Sequence, residues 1–407
     1  MVSGRVAVIA APSGVPSTVP VASGLGTVAS ANSGPVARLD TDALVHNFGE
    51  VRRLVGSGTD VLAMVKSDAY GHGATACASA LAGAGCGAFG VATVDEAAAV
   101  GPVVRSGASG ARVVVFGGLL PFEAAAAVDA HAEVVTQEID VVRALGACAS
   151  AAGTETAVHV KIDTGMHRLG VAPADVVSFA RAAGLVPGVR LVAICSHFAQ
   201  AESVTGEVTA GQLEAMLAAD SALRDAGFVL ARHLANSAAI LTRPEAHLDM
   251  VRPGIMLYGV APDPSLRGRG DLRPVMELVA RVIRVADVPP GDGIGYGHTF
   301  HATAPMRVAT VRCGYADGYP RALGNVAVAL LRGTRVPLVG RICMDHAMFD
   351  VTHVAGVAVG DEVTLWGKDP GVEEVAATAG TIAYELLARV GARVRREPGR
   401  KDGDKNS

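Results

Sequence analysis

Apolar and polar positions alternate in two different ways along this chain, and the change falls near residue 266. Over the first stretch, short β-branched runs recur and are followed by Ala-rich amphipathic segments such as Ala174–Ala183 and Gly211–Ala226. The runs are Val61–Val65, Ala88–Ala92, Arg112–Phe116, Glu133–Val135, Thr156–Ile162, Arg190–Ser196, Ala231–Ala235 and His247–Val251. Strands alternating with helices build a parallel sheet, and eight such units close a (β/α)8 barrel. A doubly wound open sheet is the rival, but no Gly-x-Gly-x-x-Gly turn follows the first run. Beyond Asp271 the helical period fades. Runs at Leu278–Val288, Met306–Cys313, Val326–Leu331, Val336–Val339, Met348–Val351 and Glu362–Trp366, separated by Gly, Pro and Asp, predict a mostly-β second domain.

The ends carry neither period. Residues 1–36, rich in Ala, Ser, Gly, Pro and Val, are expected to form a flexible extension, and 393–407, polar and basic, a disordered tail. The division is then 1–36 extension, 37–265 (β/α)8 barrel, 266–392 β domain and 393–407 tail. The fold class is α/β plus β, a TIM-type barrel followed by a mostly-β domain.

Composition narrows the function. With 35 Lys+Arg against 39 Asp+Glu the net charge is −4, which lacks the basic face that nucleic acid or an anionic membrane demands. No apolar run approaches the ~18 residues of a membrane span. The six cysteines form no Cys-x-x-Cys pair and read as buried free thiols, hence an expected cytoplasmic setting. His298-x-x-His301 lacks the Glu of a zinc helix, and no metal is expected.

Candidate chemistry sits where strands of such a barrel end. Lys66 closes the first run, Arg168 lies in the loop after the fifth, His197 ends the sixth, Asn236-Ser237 follow the seventh, and Arg252-Pro253-Gly254-Ile255 follow the eighth. A lysine at a buried strand end either pairs with Asp68 or Asp163 or is a neutralised amine able to form a Schiff base. Loops after strands seven and eight are the usual phosphate seat of a barrel, with Ser237 as hydroxyl donor and Gly254-Ile255 as open backbone amides. The two features together suggest pyridoxal 5'-phosphate. His72, beside two glycines, reads as a hydrogen-bonder of a turn.

Val65-Lys66-Ser67-Asp68-Ala69-Tyr70-Gly71-His72-Gly73, Asp163-Thr164-Gly165-Met166-His167-Arg168-Leu169-Gly170, Ala235-Asn236-Ser237-Ala238 and Val251-Arg252-Pro253-Gly254-Ile255 resemble the signatures of bacterial alanine racemases. So do Gly314-Tyr315-Ala316-Asp317-Gly318 and Val339-Gly340-Arg341-Ile342-Cys343-Met344-Asp345. The matches stay in order from about Arg38 to Tyr384. The resemblance implies a pyridoxal-phosphate racemase that interconverts L- and D-alanine, supplies D-alanine for peptidoglycan, and works as a cytoplasmic homodimer with active sites shared across the interface. It implies that Lys66 carries the internal aldimine and is one base, and that Tyr296, from the partner subunit, is the other. By the same resemblance Tyr70, Ser237, Gly254, Ile255 and Tyr384 hold the phosphate, Arg252 faces the pyridine nitrogen, and Arg168 lies near the ring's phenolic oxygen. His197 and Asn236 fall among the cofactor contacts. Met344, Asp345 and Tyr315, with Arg168, meet the small amino-acid substrate. Lys161 matches a lysine that some members carry as a carbamate. A tyrosine acts as a base only beside positive charge, which His197 and Arg252 are expected to supply. Related barrel-plus-β decarboxylases place a glutamate where this chain has Arg252. A racemase of serine or of broader range is the alternative, a decarboxylase or a non-catalytic cofactor carrier the more distant ones.

Overall fold

A computed structural model describes residues 34–107, 110–203 and 206–399. The chain opens with strand β1 (Val36–Leu39), turns through the cap of Asp40, whose carboxylate accepts from Ala43 N at 2.9 Å, and runs into a helix over Thr41–Val55. Eight strands follow: β2 (Asp60–Met64), β3 (Ala88–Val91), β4 (Arg112–Val115), β5 (Glu133–Thr136), β6 (Thr156–Lys161), β7 (Val189–Cys195), β8 (Ala231–Asn236) and β9 (Met250–Arg252). They pair in parallel and in sequence order, and β9 closes on β2 through Asp60↔Met250 and Val61↔Val251. The eight-unit pattern therefore folds as the barrel it predicted, each strand within a few residues of its run.

Both faces of these strands are covered, which is why most of the runs are continuously apolar; polar exceptions such as His159 and Lys161 of β6 and His233 of β8 face the inside of the barrel. Leu62, Met64, Ala88, Val114, Val135, Cys195 and Met250 fill the inside of the barrel. Phe89, Val113, Val160, Ile194 and Val251 face the surrounding helices.

The second domain is built on β10 (Met276–Val288), a strand of 13 residues. After it come the short hairpin β11 (Gly293–Ile294) and β12 (Phe300–His301), then β13 (Met306–Val311), β14 (Val328–Leu331), β15 (Thr334–Pro337), β16 (Ala347–Asp350) and β17 (Glu362–Trp366). The sheet order is β15-β14-β17-β10-β1, with β13 and β16 branching from the far end of β10. Trp366, Tyr319 and Phe349 are the largest fully buried side chains of its core.

Three expectations need correction. Strand β1 belongs to the β domain and not to the barrel, because its backbone pairs antiparallel with β10, Val36 opposite Val279. The tail is ordered through Gly399: Arg395–Pro398 forms β18, parallel to β1, with Arg396 opposite Ala37. Its order comes from backbone pairing and arginine hydrogen bonds, which a polar composition conceals. The second domain also keeps two short helices, Val372–Thr378 and Ala383–Ala388, and the latter carries Tyr384. Of the expected extension, residues 1–33 lie outside the described residues, as do 400–407 of the tail. No helix among the described residues is long and apolar enough to cross a membrane.

Candidate active site

The carboxyl ends of the barrel strands open into a cavity of about 530 Å³. Lys66, Tyr70, Arg168, His197, Asn236, Ser237, Arg252, Gly254, Ile255 and Tyr384 line it together, with Lys161, Phe116 and Gln137 beside them. Ten of the residues singled out in the sequence thus converge on one place. Tyr296, Met344 and Asp345 do not: they line a separate groove on the β domain, and Tyr315 sits next to it, its N–H donating to Cys343 O at 3.2 Å.

Lys66 leads into an unusual turn. Ser67, Asp68 and Ala69 hold φ near 54° with ψ between 46° and 51°, and Tyr70 follows at φ 53°. Four non-glycine residues in left-handed helix cost roughly 1–2 kcal/mol each, so the surroundings must over-determine the shape. Glu96 does so at the front: one carboxylate oxygen accepts from Ser67 N at 2.6 Å and the other from Ala92 N at 2.7 Å. Asp68 accepts from Ala74 N at 2.8 Å at the start of the next helix. His72 donates from Nδ1 to the carbonyls of Ala69 (3.0 Å) and Tyr70 (2.9 Å). Burial pushes its pKa down to about 4, so it serves as a neutral donor, as the sequence suggested.

The Lys66 amine is pushed below the usual lysine range, first by burial, then by the charge of Arg168, with Glu96 opposing and Arg252 adding to the effect. A pocket that disfavours the charged ammonium makes the free amine, the form that attacks an aldehyde, easier to reach. Lys161, at the end of β6, is pushed further, to about 8, mainly by burial.

Opposite lies a cradle for an anion. Asn236 caps the helix Ser237–Thr242, accepting from Ala239 N at 3.0 Å, and Ser237 Oγ accepts from Gly254 N at 2.8 Å. A Cβ on Gly254 would meet Tyr70 Oη at 2.3 Å, so the phenol can approach that amide only because the residue is glycine. Burial pushes the Tyr70 hydroxyl up to about 12 and raises Tyr384 as well, keeping both protonated as donors. Hydroxyls and backbone amides without a counter-ion are chemistry that suits a phosphate.

Arg252 lies fully buried at the end of β9. Its guanidinium donates to Ser196 O (2.7 Å), Leu234 O (3.1 Å), His233 Nδ1 (3.0 Å) and His197 Nδ1 (3.2 Å), with the Phe116 ring 5.7 Å away. Because arginine only donates, each histidine must accept on Nδ1 and carry its proton on Nε2. His233 then donates to His159 Nδ1 at 2.9 Å, and His159 Nε2 to Glu133 at 2.8 Å. Burial and then the Arg252 charge hold both His197 and His233 well below the usual histidine range. This corrects one expectation: His197 is neutral, so Arg252 and not His197 is the source of positive charge.

Sequence reasoning passed over Glu96, Phe116, His159, His233 and Glu133. The two histidines carried a usable signal. His159 shares the inward parity of Lys161, two residues on, and His233 ends up opposite it inside the barrel. For Glu96 the sequence offers the capping box Thr93-Val94-Asp95-Glu96, in which Glu96 N donates to Thr93 Oγ1 at 3.2 Å and Thr93 N to the Glu96 carboxylate at 3.4 Å. Its bond from Ser67 N, however, reaches a different loop and leaves no local pattern. Among the described residues no group of three His, Cys, Asp or Glu is arranged to hold a metal ion.

Two family models match the chain: "Alanine racemase, N-terminal domain" over residues 39–262 and "Alanine racemase, C-terminal domain" over 275–398. Among curated relatives, an alanine racemase of Desulfovibrio desulfuricans is 44% identical over 365 residues, covering 88% of this chain and 96% of the relative. Among solved structures, the alanine racemase of Streptomyces coelicolor matches with a TM-score of 0.85 at 34% identity, covering 90% of this chain and 98% of that one. That of Bartonella henselae, described with covalently bound pyridoxal phosphate, matches with a TM-score of 0.79 at 27% identity, over 90% and 99% of the two chains. With both domains matched in order around this cavity, the chain belongs to the alanine racemase family and is an amino-acid racemase, an isomerase.

Proposed function

We propose that the protein interconverts L- and D-alanine using pyridoxal 5'-phosphate bonded to Lys66, with Tyr296 of a second copy as the opposing base, and so supplies D-alanine for peptidoglycan. The observation that carries this reading is the meeting, in one cavity, of an amine pushed toward neutrality with a seat of hydroxyl and amide donors. The donor set of Tyr70, Ser237, Gly254, Ile255 and Tyr384 fits a phosphate dianion, and the aldehyde then falls to the Lys66 amine. The Bartonella relative, which holds this cofactor covalently, supports the assignment. When bound, the cofactor spreads the negative charge that remains on the substrate's Cα after proton loss.

The chain's own residues do the rest. Lys66 Nζ takes the α-proton on one face or returns it there. A base on the other face must complete the inversion, because one base alone restores the same enantiomer. Arg168 at the cavity mouth, and Met344, Asp345 and Tyr315 on the β-domain face, are assigned to the substrate. Arg252, which the family resemblance places against the ring nitrogen, could only donate a hydrogen bond there and so would not hold that nitrogen protonated, which would limit how strongly the cofactor withdraws charge. The His233–His159–Glu133 chain keeps the guanidinium aimed there.

The direct test is chiral analysis of the purified protein with cofactor and L-alanine. Enantiomers have equal free energy, so the mixture must settle at equal L and D from either start. Carbon dioxide release would favour the decarboxylase reading, and no α-proton exchange in D2O the carrier. Comparing serine with alanine settles the preferred side chain.

Two further outcomes are expected. Arg252→Glu supplies a carboxylate that would stabilise a protonated ring nitrogen: racemisation should fall by about 10²–10³, and pyruvate, the product of transamination, should rise relative to D-alanine. Unchanged partition would refute the role given to Arg252. For Lys161, the folded value near 8 lies below the ~10.4 of an unfolded chain. Its burial penalty is fully present below pH 8 and is relieved as pH climbs toward 10.4, where the unfolded state alone still binds the proton. In bicarbonate-free buffer, the unfolding free energy of wild type relative to Lys161→Met should therefore rise over that window; a flat difference would contradict it. Added bicarbonate, by allowing the carbamate that family resemblance assigns to this lysine, should remove the penalty near pH 8.

A further inference from the structure

The left-handed turn after Lys66 is held at its front by Glu96 and Asp68, but its back rests on the other end of the chain. Gly71, at φ 81°, lies so close to the helix Ala383–Ala388 that a Cβ would meet Leu387 O at 1.9 Å. Its carbonyl faces β18, where Arg396 donates to it from Nε at 3.1 Å and from Nη2 at 3.0 Å. The same guanidinium donates to Val390 O (2.9 Å), Gly391 O (2.8 Å) and Val394 O (2.7 Å), and Nη2 lies 3.7 Å from the Asp68 carboxylate. One side chain, only 19% exposed, thus gathers four carbonyls and a carboxylate from the barrel loop and the C-terminal segment. The segment is itself anchored: Arg393 pairs with the buried Asp317 and with Asp345, each at 2.6 Å.

We propose that Arg396 is a positioning residue, which from the end of the chain locks the left-handed Ser67–Tyr70 turn and so sets how tightly the protein holds its cofactor. The inference rests on the assignment of Lys66 and Tyr70 to the cofactor. Without the guanidinium, four carbonyls crowd together with no shared donor, and the strained turn loses the contact that opposes its relaxation to ordinary backbone. The amine and the phenol then no longer point into the cavity together. Lysine cannot substitute, because three donors on one nitrogen cannot span a fan that guanidinium reaches with three nitrogens.

The test compares wild type, Arg396→Ala and Arg396→Lys. In the cofactor-free proteins, amide hydrogen exchange at Ala69, Gly71, His72 and Gly73 should speed up about tenfold or more in the alanine variant, while the barrel strands keep their protection. Titration with pyridoxal phosphate, followed by its visible absorbance, should show the dissociation constant raised about tenfold or more. The lysine variant should fall between, and added guanidinium ion should recover part of the loss in the alanine variant. Equal cofactor affinity and equal turn protection, even with lower overall stability, would overturn the proposal and leave Arg396 a purely structural residue. Should the alanine variant fail to fold, the lysine variant decides by the same two readouts. If wild type itself takes up no pyridoxal phosphate, the reading of the site fails; if wild type binds it and the variants bind equally, this inference alone fails.

Discussion

Replacing Lys66 with alanine should abolish the visible absorbance of the bound cofactor and slow racemisation by about 10⁴-fold or more, while the protein still folds. A general base alone is worth 10²–10⁴, and Lys66 is asked to anchor the aldehyde as well. The chain offers few rivals: Lys66, Lys161, Lys368, Lys401 and Lys405 are its lysines, and of these Lys66 and Lys161 line the cavity. Lys161 is the serious competitor, since burial lowers its pKa too, to about 8. The backbone around the two is different. Lys66 opens a strained turn braced by Glu96, Asp68 and His72, which fixes the amine's backbone within one turn of Tyr70. Lys161 ends an ordinary strand with no such bracing; Arg168 and Arg252 depress both amines alike and do not tell them apart. Borohydride reduction and then peptide mapping should therefore place the pyridoxyl label on Lys66. A label on Lys161, or retention of the band and full activity in Lys66→Ala, would refute the assignment.

The barrel was legible because buried parallel strands leave mostly apolar runs at regular spacing between helical stretches, a pattern that depends only on local sequence. Strand-end positions then pointed to Lys66, His197, Ser237 and Arg252 without any residue being compared with another protein. What escaped is what long-range pairing decides. Val36–Leu39 is too short to declare a sheet, and its partner Met276–Val279 lies some 240 residues away. Arg395–Pro398 carries arginines where an apolar strand would carry valines, and it is ordered by the hydrogen bonds those arginines make. Tyr384 was placed by resemblance alone, since the helix that carries it, six residues long, is too short to show a period. The charge state of His197 was also out of reach, because it depends on burial next to a cation that sits 55 positions further along.

The second large effect concerns Tyr296. It sits in the turn between β11 and β12, 69% exposed, and its neighbours Met344 (54%) and Tyr315 (43%) are exposed as well. None of the three lines the cavity that holds Lys66 in the same chain. A cluster of exposed aromatic and thioether side chains is a surface made to be covered, and a base for the opposite face of the substrate must come from somewhere. If a second copy brings it, Tyr296→Phe should slow racemisation by about 10²–10⁴. The loss in kcat/KM must be equal for L- and D-alanine, because their equilibrium constant is one. The asymmetry belongs to hydrogen exchange: with Lys66 intact, one enantiomer should still trade its α-proton with D2O while keeping its configuration, and the other should not. Shared sites also make a numerical forecast. When equal amounts of inactive Lys66→Ala and Tyr296→Phe chains exchange at random, about half the dimers are mixed, and each mixed dimer has one site with both bases intact. About a quarter of wild-type activity should return. A Tyr296 that acted within its own chain would leave no site whole, and the mixture would stay as inactive as its parts.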